Sequence, residues 1–454
     1  MISIQYIVVS VLVYFIAVAI YRLFFHPLAQ FPGPKLAALT RLYKTYHDIV
    51  HNGGYASKIA KLHEKYGRLV RISPSELHVD DPSFFEKLYS GDGHKDEYAK
   101  LHRARIASLK RAFSKEMVVI QQYIIRQNVM ELFERISTFS QSGELVDLGT
   151  SISEFTRCTM IGCVYAGIMD GREKRPFIAA LDTLQPSTLR TWYGIKRSFL
   201  PYIKGLRTVI HRTPDSDLPS SEKPFDRCFN DVATITDAGN ETTANILRLL
   251  ICHVFSNPKI LESLRDELAS AAKDGPILDL QVLEKLPYLS SVFLEGMRLS
   301  PGLATRITRI VLDRDVVYGD YCVPRGTPVV MTVVMKQGLD EGISLEQKRF
   351  DPDRWMDLNA RETKERASVQ SSRGARTCPG THLAWAEMCF LLVSLVWSFD
   401  FVFEGTSSEA FGGVSDQFRG RFRKGRVLKA RLLGNIFPWA WLWAAFSGAR
   451  LWQE

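Results

Sequence analysis

The chain has 454 residues, 46% of them hydrophobic, enough to bury a large core. Seven cysteines without regular spacing argue against a disulfide framework and suit a reducing compartment. The net charge of +9, with a pI of about 9.1, fits an anionic membrane surface or an acidic protein partner. Lysine and arginine are spread along the chain with no nucleic-acid-binding motif, so nucleic acid is not an expected partner. No internal repeat or low-complexity block divides it, although length alone would allow two or three domains.

Ile2 to Tyr21 carries no charged residue. A helix of about 20 residues spans roughly 30 Å, the thickness of a bilayer core. Ala17-Val18-Ala19 resembles a signal cleavage site, but no basic residue precedes the apolar run, and the run is long for a signal peptide. The reading is a retained, single-pass transmembrane anchor over residues 1–24. Arg22 and His26 follow the span and put the main domain on the cytosolic side. Residues 25–36 include Phe31-Pro32-Gly33-Pro34-Lys35, a proline-rich hinge that cannot continue a helix.

Tyr55 to Tyr66 has an amphipathic helical pattern ending at Gly67. Leu69-Val70-Arg71-Ile72 and Glu76-Leu77-His78-Val79 read as short strands around Ser73-Pro74, and Asp81-Pro82 starts another helix. His102 to Arg111 places His102, Arg103, Arg105, Lys110 and Arg111 on a helical pattern, most of them on a solvated basic face. Helical patterns follow over 117–139 and 152–165, and Pro214 to Lys223 reads as a loop.

Phe225 to Phe255 reads as one long helix ending at Asn257-Pro258. Its middle holds Ala238-Gly239-Asn240-Glu241-Thr242-Thr243, and glycine and threonine are poor interior choices. Either the helix opens there, so that a hydroxyl and a carboxylate can handle protons, or Gly239 serves packing and the threonines bond back to the helix. Leu280 to Leu299 carries Glu295 and Arg298 three residues apart, neighbours on a helix among Phe293, Leu294 and Met297. A buried carboxylate needs strong partners, and Arg354, in Phe350-Asp351-Pro352-Asp353-Arg354-Trp355, is a candidate second cation. Short strands are expected over 304–310, 315–317 and 328–334, with a turn at Pro324-Arg325-Gly326.

Ser371 to Gly380, SSRGARTCPG, presents one thiol, Cys378, near Arg373 and Arg376 and just before a helical run from Thr381 to Val396. Gly374 permits a tight bend, and Gly380 lets a planar group approach the backbone. Cations and a helix N-terminus favour a thiolate, the form that ligates metal. The competing reading is a buried cysteine in a turn. One cysteine cannot build a zinc or iron–sulfur site, whereas an axial thiolate on a haem needs only one.

In this order, the AGNET helix, Glu295 with Arg298, the segment from Phe350 to Trp355 and the loop from Gly374 to Gly380 resemble the cytochrome P450 monooxygenases, from the anchor to about Leu433. Phe31 to Lys35 and Lys65 to Pro82 are most similar to filamentous-fungal, membrane-bound members of the trichodiene oxygenase type. The resemblance implies a mostly α fold with small β-sheets, an α+β catalytic domain at 37–433 behind the transmembrane helix. It implies haem b with Cys378 as the axial iron ligand, and haem propionates met by Arg376, Arg306 and His102 or Arg105. Thr242 would face the distal oxygen and Glu241 would pass protons inward through water, while Glu295, Arg298 and Arg354 would be structural.

The same resemblance implies electrons from NADPH through cytochrome P450 reductase, an endoplasmic-reticulum membrane, and an apolar substrate such as a fungal terpenoid or polyketide. A rearrangement or peroxide-driven reaction without reductase fits less well with Glu241 and Thr242 in place. Some positions depart from the family pattern: Ser371 stands for a phenylalanine and Ile106 for an arginine. The F–G region between Ile210 and Pro214 is shortened, and Lys336 to Lys348 is unusual. A catalytically impaired ligand binder without a complete pocket roof is the alternative those gaps suggest. Residues 434–454 form a tail with Trp439, Trp441, Trp443 and Trp452 that has no counterpart in the pattern.

Overall fold

The computed structural model describes residues 4–51, 54–89, 106, 110, 112–142, 144–164, 225–272, 279–300, 306–332, 349–357, 371–372, 374–405, 414–415, 421–422 and 428–435. Helix α1, Ile4–Ile20, runs into a wider π-type turn at Tyr21–Phe25, and this stretch is long and apolar enough to cross a membrane. Helices α2 (Lys35–Leu39), α3 (Leu42–Ile49) and α4 (Tyr55–Tyr66) lead to strands β1 (Leu69–Ser73) and β2 (Glu76–Val79) and helix α5 (Pro82–Tyr89). Then come α6 (Lys115–Ser142), β3 (Val146–Asp147), α7 (Leu148–Val164), α8 (Phe225–Phe255) and α9 (Pro258–Ala272). Next are α10 (Leu280–Leu283), α11 (Pro287–Leu299) and strands β4 (Arg306–Ile310), β5 (Val316–Tyr318), β6 (Tyr321–Val323) and β7 (Pro328–Thr332). The chain closes with α12 (Thr381–Ser398), β8 (Phe399–Phe403), β9 (Val414–Ser415), β10 (Arg421–Phe422) and β11 (Lys429–Asn435).

One sheet has the order β1-β2-β7-β4, with β2 parallel to β7 and the other neighbours antiparallel. Because side chains alternate along a strand, its residues divide between two cores. Leu69, Leu77, Val79, Val329 and Met331 pack with Leu28 and Phe31, while Val70, Ile72 and Val330 pack against Tyr55 and Ile59 of α4. The proline-rich hinge is therefore fastened to the sheet: Leu28 and Phe31 are buried, and Arg71 N donates to Pro32 O at 2.7 Å. Buried His78 shares hydrogen bonds with His63 at 2.7 Å and Thr332 at 2.9 Å, which ties α4 to β2 and β7.

The larger core is helical. Helix α12 is apolar nearly all round and packs against α6 and α8, so its membrane-like composition reflects burial in protein. Helix α8 packs along α7 and crosses α11. The run from Leu280 to Leu299 is broken at Pro287, which starts α11 at a position where its missing N–H costs nothing. Two orphan N–H groups of that helix, Tyr288 and Leu289, donate to the Glu267 carboxylate of α9 at 2.7 and 2.9 Å. A second sheet, β3-β11-β8, closes one side of this core.

Candidate active site

The loop before α12 is bent by left-handed backbone at Ser372 (φ 58°) and Gly374 (φ 67°), the latter a conformation glycine adopts at little cost. Cys378 N donates to Ser371 O at 2.8 Å, and the Thr377 N–H and hydroxyl both donate to Gly374 O. Thr381, opening α12, donates its hydroxyl to Cys378 O at 3.1 Å. These bonds set Cys378 at the head of the most buried helix, yet the residue itself is exposed. Cys158, Cys163, Cys252 and Cys389 are buried thiols in the core by contrast. A side chain at Gly380 would begin 4.0 Å from the Cys378 sulfur and shut one side of it.

Strand β4 brings a cation to this loop. Arg309 Nη2 donates to Ser372 Oγ at 3.2 Å, and its guanidinium lies 4.3 Å from the Tyr89 ring centre. Burial lowers the Arg309 pKa, the Tyr89 phenol opposes this, and the neighbouring Arg376 guanidinium lowers it further. Two adjacent guanidinium groups repel, and a carboxylate beside them relieves that repulsion while accepting paired hydrogen bonds. Arg306 is engaged elsewhere. Its Nη2 donates to Asp48 Oδ2 of α3 at 2.8 Å, and its guanidinium sits 4.8 Å from the Tyr55 ring centre. Positions 306 and 309 differ by an odd number, so they project from opposite faces of the strand. That alternation was the signal available for Arg309.

Glu295 is 0% exposed and fully satisfied. Arg298 grips it with Nε and Nη2, both at 2.8 Å, and Arg354 Nε lies 3.0 Å away. Asp351 N and Trp355 Nε1 add donors at 2.9 Å each. The sequence spacing reveals both arginines as partners; the backbone amide and the indole become visible only in the fold.

The middle of α8 stays helical through Gly239. A Cβ there would lie 1.6 Å from Met160 Cε of α7, so the glycine permits the close crossing of α7 and α8. Thr242 donates its hydroxyl back to Ala238 O at 2.7 Å. The packing alternative thus accounts for both residues, with no local opening. Glu241 Oε1 accepts from Arg248 Nη1 at 3.1 Å. Arg248 is 3% exposed and also donates to Gly149 O at 3.1 Å, Asn245 Oδ1 at 2.7 Å and Ser153 Oγ. The acid at the start of the expected proton path is therefore held in an ion pair beside α7.

His102, Arg105 and Arg373 lie outside the described residues, as do 210–214 of the expected F–G region, Lys336 to Lys348 and 436–454; Gly434 and Asn435, expected in the tail, instead belong to β11 and pair with β8. Ile106 is helical, and Ser371 supplies the carbonyl that receives Cys378 N. Among the described residues no cluster of three or more histidine, cysteine or acidic side chains could hold a metal ion. An accessible sulfur, open glycine backbone and the Arg309–Arg376 pair instead fit an iron porphyrin with one sulfur ligand and two carboxylate arms.

The cytochrome P450 family model matches residues 221–411. A cytochrome P450 monooxygenase of Cochliobolus heterostrophus is 32% identical to this chain, over 84% of it and 85% of its own length. A tryptophan 6-hydroxylase of Fusarium equiseti is 31% identical, over 88% of this chain and 91% of its own. The retinoic acid-bound cyanobacterial CYP120A1 superposes with a TM-score of 0.66 at 17% identity, covering 89% of this chain and 99% of its own, and so shares the fold. The loop that exposes Cys378 and the extent of these matches lead to one conclusion: the chain belongs to the cytochrome P450 family and is a haem-dependent monooxygenase that requires an electron donor.

Proposed function

We propose that this monooxygenase inserts one atom of dioxygen into an apolar fungal secondary metabolite, a terpenoid or polyketide, at the membrane surface. Electrons come from NADPH through a cytochrome P450 reductase. The observation that carries this reading is the exposed Cys378 thiol at the head of α12, in the loop whose Ser372 takes a hydrogen bond from Arg309. Haem b held there supplies the oxygen activation, and the protein supplies ligand, orientation and protons. Cys378 would ligate the haem iron, with Gly374 forming the bend and Gly380 leaving space beside the sulfur. Arg309 and Arg376 would receive the carboxylate arms; we assign this role to Arg309 in place of Arg306, which Asp48 already engages. Names among the relatives, which include a conidiogenone synthase, support fungal small-molecule chemistry; an indole such as tryptophan is the second reading, from the Fusarium relative.

Glu241, released from Arg248, would supply protons to the reaction, and the Thr242 hydroxyl, released from Ala238 O, would help deliver them. A positioned general acid of this kind is worth about 10²-fold or more in rate. Membrane attachment rests on α1, whose base is held to the domain where Arg71 Nη1 donates to Arg22 O at 2.9 Å. Leu42, Tyr46, Ile49 and Val50 of α3 and its C-terminal flank are exposed and lie at helical spacing, which suits burial at the headgroup level of an endoplasmic-reticulum bilayer with the domain in the cytosol.

The test is Thr242→Ala in membranes supplied with reductase and NADPH. Oxygen and NADPH consumption should continue while product falls and peroxide rises. Product formation coupled as in the wild type would remove Thr242 and Glu241 from proton delivery.

A further inference from the structure

Helix α12 carries a single acidic residue. Glu387 is 1% exposed, and it meets α8 through a hydrogen bond with the Thr243 side chain, itself 2% exposed. Its other oxygen, Oε1, has no partner among the described residues. Glu295, by comparison, takes five donors. A buried ionised carboxylate with one hydroxyl partner is costly, and an apolar side chain of similar volume would cost nothing of the kind. The neighbours of Glu387 on α12, Ala386, Met388 and Phe390, are such apolar residues.

The position of Thr243 suggests what offsets the cost. It follows Thr242 directly, on the turn of α8 that carries Glu241. Thr242 spends its hydroxyl on its own helix, whereas Thr243 reaches across to α12. We propose that Glu387 is a positioning residue: its hydrogen bond with Thr243 holds the Glu241–Thr242 turn of α8 in register with the helix that carries Cys378. This rests on the reading of Glu241 and Thr242 as the proton-handling pair. Burial raises the Glu387 carboxyl well above the usual carboxylate range and so favours its protonated form, which can share a hydrogen bond with a hydroxyl.

Three single variants, one double variant and one spectrum test it. Glu387→Gln keeps the shape and the hydrogen bond, and its product-to-NADPH ratio should match the wild type. Glu387→Leu fills the space without the bond, and the uncoupled share should rise about fivefold, the size of one hydrogen bond's net contribution. Thr243→Val should give the same rise, and the double variant no further one. The infrared difference spectrum between the wild-type holoenzyme and Glu387→Gln should contain the band of a protonated carboxyl. Wild-type coupling in both Glu387→Leu and Thr243→Val overturns the proposal, and so does the absence of that band. If Thr242→Ala also fails to uncouple, the proton reading itself has failed; if Thr242→Ala uncouples and these two do not, only the role of Glu387 is lost.

Discussion

Glu295 has no exposed surface and five donors on its two oxygens, whereas Cys378 stands exposed in a loop that Arg309 reaches at Ser372. Both sites are built from short motifs, and both place charge or polarisable atoms against the helical core. The Glu295 network is closed by protein groups alone. The Cys378 loop leaves its sulfur exposed, and a haem bound through that sulfur is the ligand we propose for it. A residue's chemistry therefore says less about its role than whether the protein has already satisfied it.

Breaking the closed network should have the largest effect. Glu295→Gln leaves Arg298 and Arg354 facing a neutral amide, and stability should fall by about 3–5 kcal/mol in urea denaturation. A loss under about 1 kcal/mol would mean the cluster is an ordinary surface pair.

His253 sharpens the comparison through pH. It stacks on Phe350 with ring centres 4.6 Å apart, and burial holds its pKa down from 6.5 to about 4, with Glu295 opposing. The unfolded chain takes up this proton near pH 6.5 and the folded chain only near pH 4. Its contribution is thus complete above pH 6.5 and is lost as the pH falls toward 4, up to about 3 kcal/mol in all. His253→Phe should keep the stack and flatten that part of the stability–pH curve; an unchanged slope would contradict the assignment.

The smallest effect belongs to the open site. Arg309→Met should weaken haem retention by about tenfold, the scale of one charge-assisted hydrogen bond. Arg306→Met should leave retention within about twofold while loosening α3 from the sheet, since it removes the partner of Asp48. The reverse ranking would return the propionate role to Arg306.

Much of this was legible before the fold. Helix α8 is bounded by residues that announce its ends, and Glu295, Arg298 and Arg354 are connected by helical spacing and by the search for a second cation. The cysteine loop was legible because one thiol between arginines has few uses. What was hidden depends on tertiary contact. Arg306 and Arg309 look alike in sequence, and only strand pairing tells which face meets the loop. The Arg248 clamp on Glu241 involves α7, far away in the chain. The second sheet pairs Val146 and Asp147 with β11, which no local pattern indicates. Pro287 should have divided the run from Leu280 to Leu299, since proline favours the first turn of a helix over its interior.

The most direct measurement is the absorption difference spectrum of the reduced, carbon monoxide-bound protein, for the wild type and for Cys378→Ala. The wild type should give the long-wavelength band of a thiolate-ligated haem, and the variant should lose it entirely. The same band in both proteins would contradict the assignment of Cys378 as the iron ligand.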